Sequence, residues 1–236
     1  MKFKHLIGIA IALFFFAACK KNNPVIEPPV IQTEDPLEYA HDSVSYSIDG
    51  KTYSTAKYSS ISGAGNYQPN SKVDSIVKNA YYISGNKDSV LYSKRFAIYN
   101  DDRIVNVTFI KTYSKNVMRQ ILILVPNDVY DLFKVGSRNY ALDFGRDNKQ
   151  NGIAISISDK DTYKTFGSDS FRNPPTLSPD AQKESKFEVI SFRKLKSGTY
   201  VLEAKFNAML YNEMNASKKL ENGYLRLVIH NYDLIL

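Results

Sequence analysis

Three histidines, one cysteine and a scatter of carboxylates are the groups in this 236-residue chain with which catalysis could be done. Acyl transfer of the Ser-His-Asp kind needs an imidazole beside the nucleophile. His5 and His41 fall in N-terminal segments without domain patterning, which leaves His230. It alternates with Tyr224, Arg226 and Val228 along a strand-like run, with no Gly-x-Ser-x-Gly elbow to accompany it. A single domain histidine and the lone Cys19 argue against a zinc site, so no metal and no cofactor are expected. Glu184, Glu188, Glu203, Glu213 and Glu221 could supply the paired carboxylates of a glycoside hydrolase, although their spacing places no two of them together. Asp143-Phe144-Gly145 copies a kinase tripeptide without its Gly-rich loop. Asp147 to Gly152 imitates the start of a calcium loop, but Lys149 stands at a ligand position. Gly63-Ala64-Gly65 lacks the third glycine of a dinucleotide loop. The chain is expected not to be an enzyme, with an envelope glycosidase kept as the weaker alternative.

Binding is a more natural use of the composition. Seventeen tyrosines outnumber 13 phenylalanines, and four of the phenylalanines lie in the first 16 residues. Tyrosine offers an apolar body and a polar tip, so it can stack on sugars or anchor a protein. Tyr81, Tyr82, Tyr211 and Tyr224 are the candidates for such a surface. Tyrosine also fills strands by propensity alone. The formal charge is +7; removing residues 1–18 lowers it to +5, and the acidic stretch before residue 42 leaves the remainder at +7. Basic character therefore belongs to the folded part. It suits an acidic envelope surface better than nucleic acid, because the cations are scattered and Arg193-Lys194-Leu195-Lys196 is their densest group.

Period-two patterning governs the chain from residue 42. Val44, Tyr46 and Ile48 alternate with serines, and Asp49-Gly50 predicts a tight hairpin into 51–56. Alternating runs recur at Phe96 and Ile98, Val105 to Phe109, Ile153 to Ile157, Leu202 to Leu210 and Leu225 to Ile229, with Asn100-Asp101-Asp102 as a turn. Ile121 to Val125 is apolar throughout and predicts a strand covered on both faces. One brief helix is expected over 127–133. Residues 159–183 break the rhythm with three prolines and no alternation, and read either as a functional loop or as a tolerated insertion. The expected fold is all-β: one antiparallel, two-sheet β-sandwich-like domain over 42–236.

The N-terminus carries an address. A basic start, an uncharged apolar stretch from Leu6 to Ala18 and small residues before Cys19 form a secretory signal too short to span a bilayer. Phe16-Ala17-Ala18-Cys19 resembles the lipobox of bacterial lipoproteins. That resemblance implies cleavage after Ala18 and acylation of Cys19, which would fix the domain to a membrane. Residues 19–41 then read as a lipidated, Pro-rich linker.

Together with Ser47-Ile48-Asp49-Gly50-Lys51-Thr52-Tyr53, Gly198-Thr199-Tyr200 and Asn222-Gly223-Tyr224, these features resemble the small outer-membrane lipoproteins of the Bacteroidota. The resemblance covers both ends of the domain and implies a β fold at the cell envelope, with no catalytic residues to transfer. Lys20 and Lys21 stand where surface-exported members carry acids, which favours the periplasmic face of the outer membrane. Asp42-Ser43-Val44, Asp74-Ser75-Ile76 and Asp88-Ser89-Val90 match the tripeptide such bacteria O-glycosylate, making Ser43, Ser75 and Ser89 candidates for modification. Aspartate and serine are equally ordinary turn residues before strands. The expected function is a non-catalytic binding or structural module, its partner a glycan or an envelope protein. The more specific alternative is a carbohydrate-binding accessory protein of a polysaccharide-uptake system.

Overall fold

Alternating sequence becomes strand almost wherever it occurs. The structure, a computed structural model, describes residues 34–56, 61–69, 72–77, 80–144, 150–167 and 177–234. Its strands are β1 (Ser43–Ile48), β2 (Lys51–Thr55), β3 (Ile61–Tyr67), β4 (Lys72–Val77) and β5 (Ala80–Ser84). Then come β6 (Ser89–Tyr99), β7 (Ile104–Ser114), β8 (Met118–Gln120), β9 (Leu124–Pro126) and β10 (Gly136–Arg138). The last five are β11 (Gly152–Ser158), β12 (Thr162–Lys164), β13 (Lys186–Lys194), β14 (Tyr200–Tyr211) and β15 (Ser217–Ile229). Short 3-10 turns join them, and no α-helix occurs among the described residues.

Eleven strands form one antiparallel sheet in the order β2-β1-β15-β14-β12-β11-β7-β6-β3, with β13 also on β14 and β10 on β13. β4 with β5, and β8 with β9, make two small separate ribbons. Pairing of β14 explains how one sheet gives a sandwich-like body. One edge runs along β15, while the other pairs with β13 from Tyr200 to Asn207 and with β12 at Tyr211. The sheet therefore divides at β14 into two wings whose inner faces share a core. Phe109 of β7 meets Phe187 of β13 at 6.0 Å between ring centroids, and Phe187 stacks on Phe206 of β14 at 5.8 Å. The expected all-β sandwich-like architecture is the one observed.

Local chemistry sets the turns. Asp49 (φ 53°) and Gly50 (φ 74°) form the two-residue hairpin between β1 and β2, because only such residues enter the left-handed region cheaply. Asn100 to Arg103 closes the β6–β7 hairpin through an Asn100 N–H bond to the Arg103 carbonyl at 2.9 Å. The segment expected as a helix is a single 3-10 turn, Val129–Phe133, capped by the Asp128 carboxylate. It drives Phe133 into the core against Phe109 at 5.1 Å.

Three expectations change. The compact unit begins at Asp35, so 35–41 fold with the domain although their prolines and acids read as linker. Asp35 caps the Pro36–Tyr39 turn through the Leu37 N–H (3.0 Å) and receives both outer nitrogens of Arg193 (2.7 and 3.2 Å). Glu38 accepts from the Lys196 N–H at 2.8 Å. The apolar run 121–125 is not a doubly covered strand. It forms the tip of the β8–β9 ribbon, where Leu122 is 85% exposed and only Val125 is buried. Ile121 and Leu122 stay exposed while Ile123 packs against the core, so apolar character alone gives no strand. Residues 159–183 are not uniformly irregular either: β12 lies within them.

Lys94 breaks the inside-out rule. It sits on the inner face of β6 between Ala64 and Phe109, fully buried, and its Nζ has no hydrogen-bond partner among the described residues. Burial pulls its ammonium down from the usual 10.5 to about 8, with the Asp233 carboxylate opposing part of that fall. Between pH 8 and 10.5 the unfolded chain therefore holds a proton that the folded chain does not, and stability rises with pH across that window. Lys94→Met should stabilise the domain at pH 7 by up to about 3 kcal/mol, the equivalent of that displacement. Urea titrations from pH 7 to 10.5 should show the gap between variant and parent closing as pH rises.

Candidate functional site

The outer face of the β3-β6-β7-β11-β12 wing is built from small and polar residues because its inner face takes the large apolar ones. Register fixes the rows. Ala154, Thr108, Arg95 and Gly63 lie side by side across β11, β7, β6 and β3, and Lys164, Ser156, Asn106 and Ala97 form the next row across β12, β11, β7 and β6. Ser93 and Gly65 pair in the row beyond. Small side chains leave a groove of about 500 Å³, within the range of small-ligand sites. Gly65 is needed for that close approach, since a Cβ there would come within 3.2 Å of Ser93 Oγ and 3.3 Å of the Tyr67 ring.

Three aromatic rings wall the groove. Tyr67 ends β3, Phe144 follows the Leu142 turn and Phe166 follows β12. Tyr67 meets Phe144 edge-on at 5.7 Å, and Phe144 meets Phe166 edge-on at 5.7 Å, both near 81°. The floor is polar: Asn106 donates to Ser156 Oγ at 3.2 Å, and Ser93 and Thr108 add hydroxyls. Arg95 and Lys164 supply two cations, with Lys164 Nζ 5.7 Å above the Phe166 ring. No carboxylate lines the groove among the described residues.

Lys164 and Phe166 are held where β12 leaves β11. Thr165 is buried; its N–H donates to the Ile155 carbonyl at 2.9 Å, and its Oγ1 accepts from the Ile155 N–H at 2.9 Å. Gln182 ties the same corner to β14, donating to the Thr165 carbonyl at 3.0 Å and accepting from the Met209 N–H at 3.0 Å.

Of the sequence-derived candidates, Tyr211 and Tyr224 are the two whose side chains are described, and they lie apart. Tyr81 and Tyr82 lie on β5, in a separate two-stranded ribbon, and their side chains fall outside the described residues. Tyr211 ends β14 and donates to the Ala181 carbonyl at 3.1 Å. Tyr224 lies opposite Lys205, six positions back along β14, with its hydroxyl on Glu203. That tyrosine hydroxyl, with Arg226, outweighs burial and keeps the Glu203 carboxyl below its usual range. The aromatic grouping at the groove joins Tyr67, Phe144 and Phe166. Residues so far apart in sequence gave no local signal; only strand register brings them together.

Other candidates are placed as follows. Cys19 and Ala18 lie outside the described residues. Ser43 opens β1 half-buried opposite Arg226, the side chain of Ser75 lies outside the described residues, and the Ser89 hydroxyl is buried. His230 faces Thr199 Oγ1 at 3.4 Å and stacks on Tyr232 at 5.2 Å. No group of three metal-ligating side chains occurs among the described residues, and no helix among them is long and apolar enough to cross a membrane.

Two further clefts, about 460 and 560 Å³, adjoin at Arg138, Asn139 and Asn151. There Asp131 pairs with its lysines, while Arg138 donates to the Ser137 and Lys134 carbonyls. Asp131 accepts from Lys111 and Lys134, and these ion pairs hold its carboxyl at about 2 against the upward pull of burial. The outer-face groove is thus the site with aromatic walls and cations left facing solvent. No protein-family model, curated protein or solved structure matches the chain.

Replacing Thr165 by valine should leave the Ile155 N–H without its acceptor and cost about 1–3 kcal/mol. Urea unfolding measures the loss, and hydrogen exchange should show the Ile155 amide opening faster than its neighbours in β11.

Proposed function

We propose that this chain is a cell-envelope lipoprotein, tethered through Cys19, whose β domain is a non-catalytic carbohydrate-binding module. The observation that carries the reading is the outer-face groove. Aromatic rings give a sugar's apolar C–H faces a surface to pack on, and Ser93, Asn106, Thr108 and Ser156 meet its hydroxyls. The described lining holds no carboxylate to serve as the acid or nucleophile of glycoside hydrolysis, which favours binding over cleavage.

The periplasmic face of the outer membrane is the location favoured by Lys20 and Lys21.

Two measurements test the reading. A glycan array followed by calorimetry should detect a saccharide whose affinity falls about tenfold in the Phe144→Ala, Phe166→Ala double variant, given about 0.5–1.5 kcal/mol per aromatic contact. Absence of any saccharide ligand would overturn the carbohydrate assignment. In bacteria, Cys19→Ser should move the protein from the membrane pellet to the soluble fraction; a variant that stays membrane-bound would disprove the anchor.

A further inference from the structure

We propose that the groove selects acidic saccharides, with Arg95 and Lys164 as the residues that read the charge. The inference rests on the carbohydrate reading above and narrows it to a substrate class. Arg103, Arg193 and Arg226 each hold a carboxylate, on Asp159, Asp35 and Glu203 respectively. Arg95 and Lys164 have no such partner among the described residues, although both lie at the same groove. Arg95 extends beside Gly63, where a Cβ would stand 4.0 Å from its Nη2. Its planar fork is thus left clear to face a carboxylate, the geometry guanidinium recognises with two parallel hydrogen bonds.

Placement of the two cations sets the size of the ligand. Arg95 lies on β6 and Lys164 on β12, with β7 and β11 between them. Three strand spacings put their backbones about 14 Å apart. The intervening floor is neutral and hydrogen-bonding: Thr108 and Ala154 in one row, Asn106 and Ser156 in the next. A single acidic sugar would leave one cation unmatched. An oligosaccharide of two to four units, with acidic groups toward both ends, meets both cations while its rings cross the polar floor and the Phe144–Phe166 wall. Among the described residues no carboxylate lines the groove to repel such a ligand. The +5 formal charge left after removal of residues 1–18 adds a long-range field of the same sign.

The test pairs each acid with its uncharged twin. Oligouronates of three and four units, from polygalacturonate and from alginate, are compared with their methyl esters by calorimetry in 50 mM salt, using the acyl-free domain with its Asp35 turn intact. The acids should bind about tenfold more tightly than the esters, since two partly exposed ion pairs contribute of the order of that ratio. The ratio should fall as salt is raised to 500 mM. In the Arg95→Gln, Lys164→Gln double variant, the ratio of acid to ester affinity should fall to about one. Esters that bind the parent as well as acids do, or a preference that survives the double variant, would overturn the charge reading while leaving the carbohydrate reading standing. If neither acids nor esters bind and the array yields only neutral ligands, the selectivity is wrong; if the array yields none at all, both readings fall.

Discussion

The shared edge of β14 is the constraint on which the rest of this domain depends. A strand edge offers one row of backbone donors and acceptors, and β14 divides that row between β13 and β12. A flat sheet would follow if β13 ran the full length. Because β13 stops pairing at Asn207, the remaining backbone groups need another partner, and β12 arrives at Tyr211 from the other wing. Gln182 fills the gap, its amide standing in for the missing strand at Met209 and Thr165. Unsatisfied buried backbone groups are costly enough to make this substitution decisive. The same corner positions Lys164 and Phe166, so the fold's joint and the groove's wall are one piece of structure.

A second consequence concerns the two faces of the β3-β6-β7-β11 wing. Inward, Phe96, Val107, Phe109, Ile153 and Ile155 pack against the opposite wing and its phenylalanines. Outward, the same strands present Gly63, Ser93, Thr108 and Ala154, with a smaller apolar group formed by Leu91, Ile110, Ala141 and Ala154. Period two makes these faces independent, so a core can be filled while the opposite surface is kept small. Lys94 shows how strict that alternation is. Its backbone position assigns it to the core side, and no register shift can expose it without burying Arg95 in exchange.

Legibility in the sequence followed the range of the interaction. Asp49-Gly50, the Asn100 turn and the alternating runs are decided by neighbours two or three residues away, and all were readable. The 121–125 run misled because burial depends on what covers a strand, and Ile121 and Leu122 stay exposed at the ribbon's tip. The Asp35 turn was hidden because prolines and acids look the same in a spacer and in a capped turn; Arg193, 158 positions away, makes the difference. The groove was least readable of all. Tyr67, Phe144 and Phe166 come from three distant segments, and two phenylalanines among them share no amphipathic signal with the tyrosines that seemed suited to binding. Only one clue was local: the interruption of alternation at 159–183 marked the segment that contributes Lys164 and Phe166.

Charge links the groove to the rest of the molecule. Lysines and arginines that serve structure are recognisable because a carboxylate or carbonyl is built beside them: Asp35 for Arg193, Asp131 for Lys111 and Lys134, Glu203 for Arg226. Arg193 and Lys111 reach carboxylates on distant segments, whereas Lys134 bonds Asp131 three positions away. Arg95 and Lys164 follow a different pattern, since their neighbours across the strands are Gly63, Thr108 and Ser156, which carry no charge. Placing a cation among small neutral residues leaves its field directed outward rather than consumed within the fold. A surface that needed only solubility could scatter such charges over any exposed position. Concentrating two of them at the ends of one aromatic-walled groove is the arrangement expected when the opposite charge arrives with a ligand.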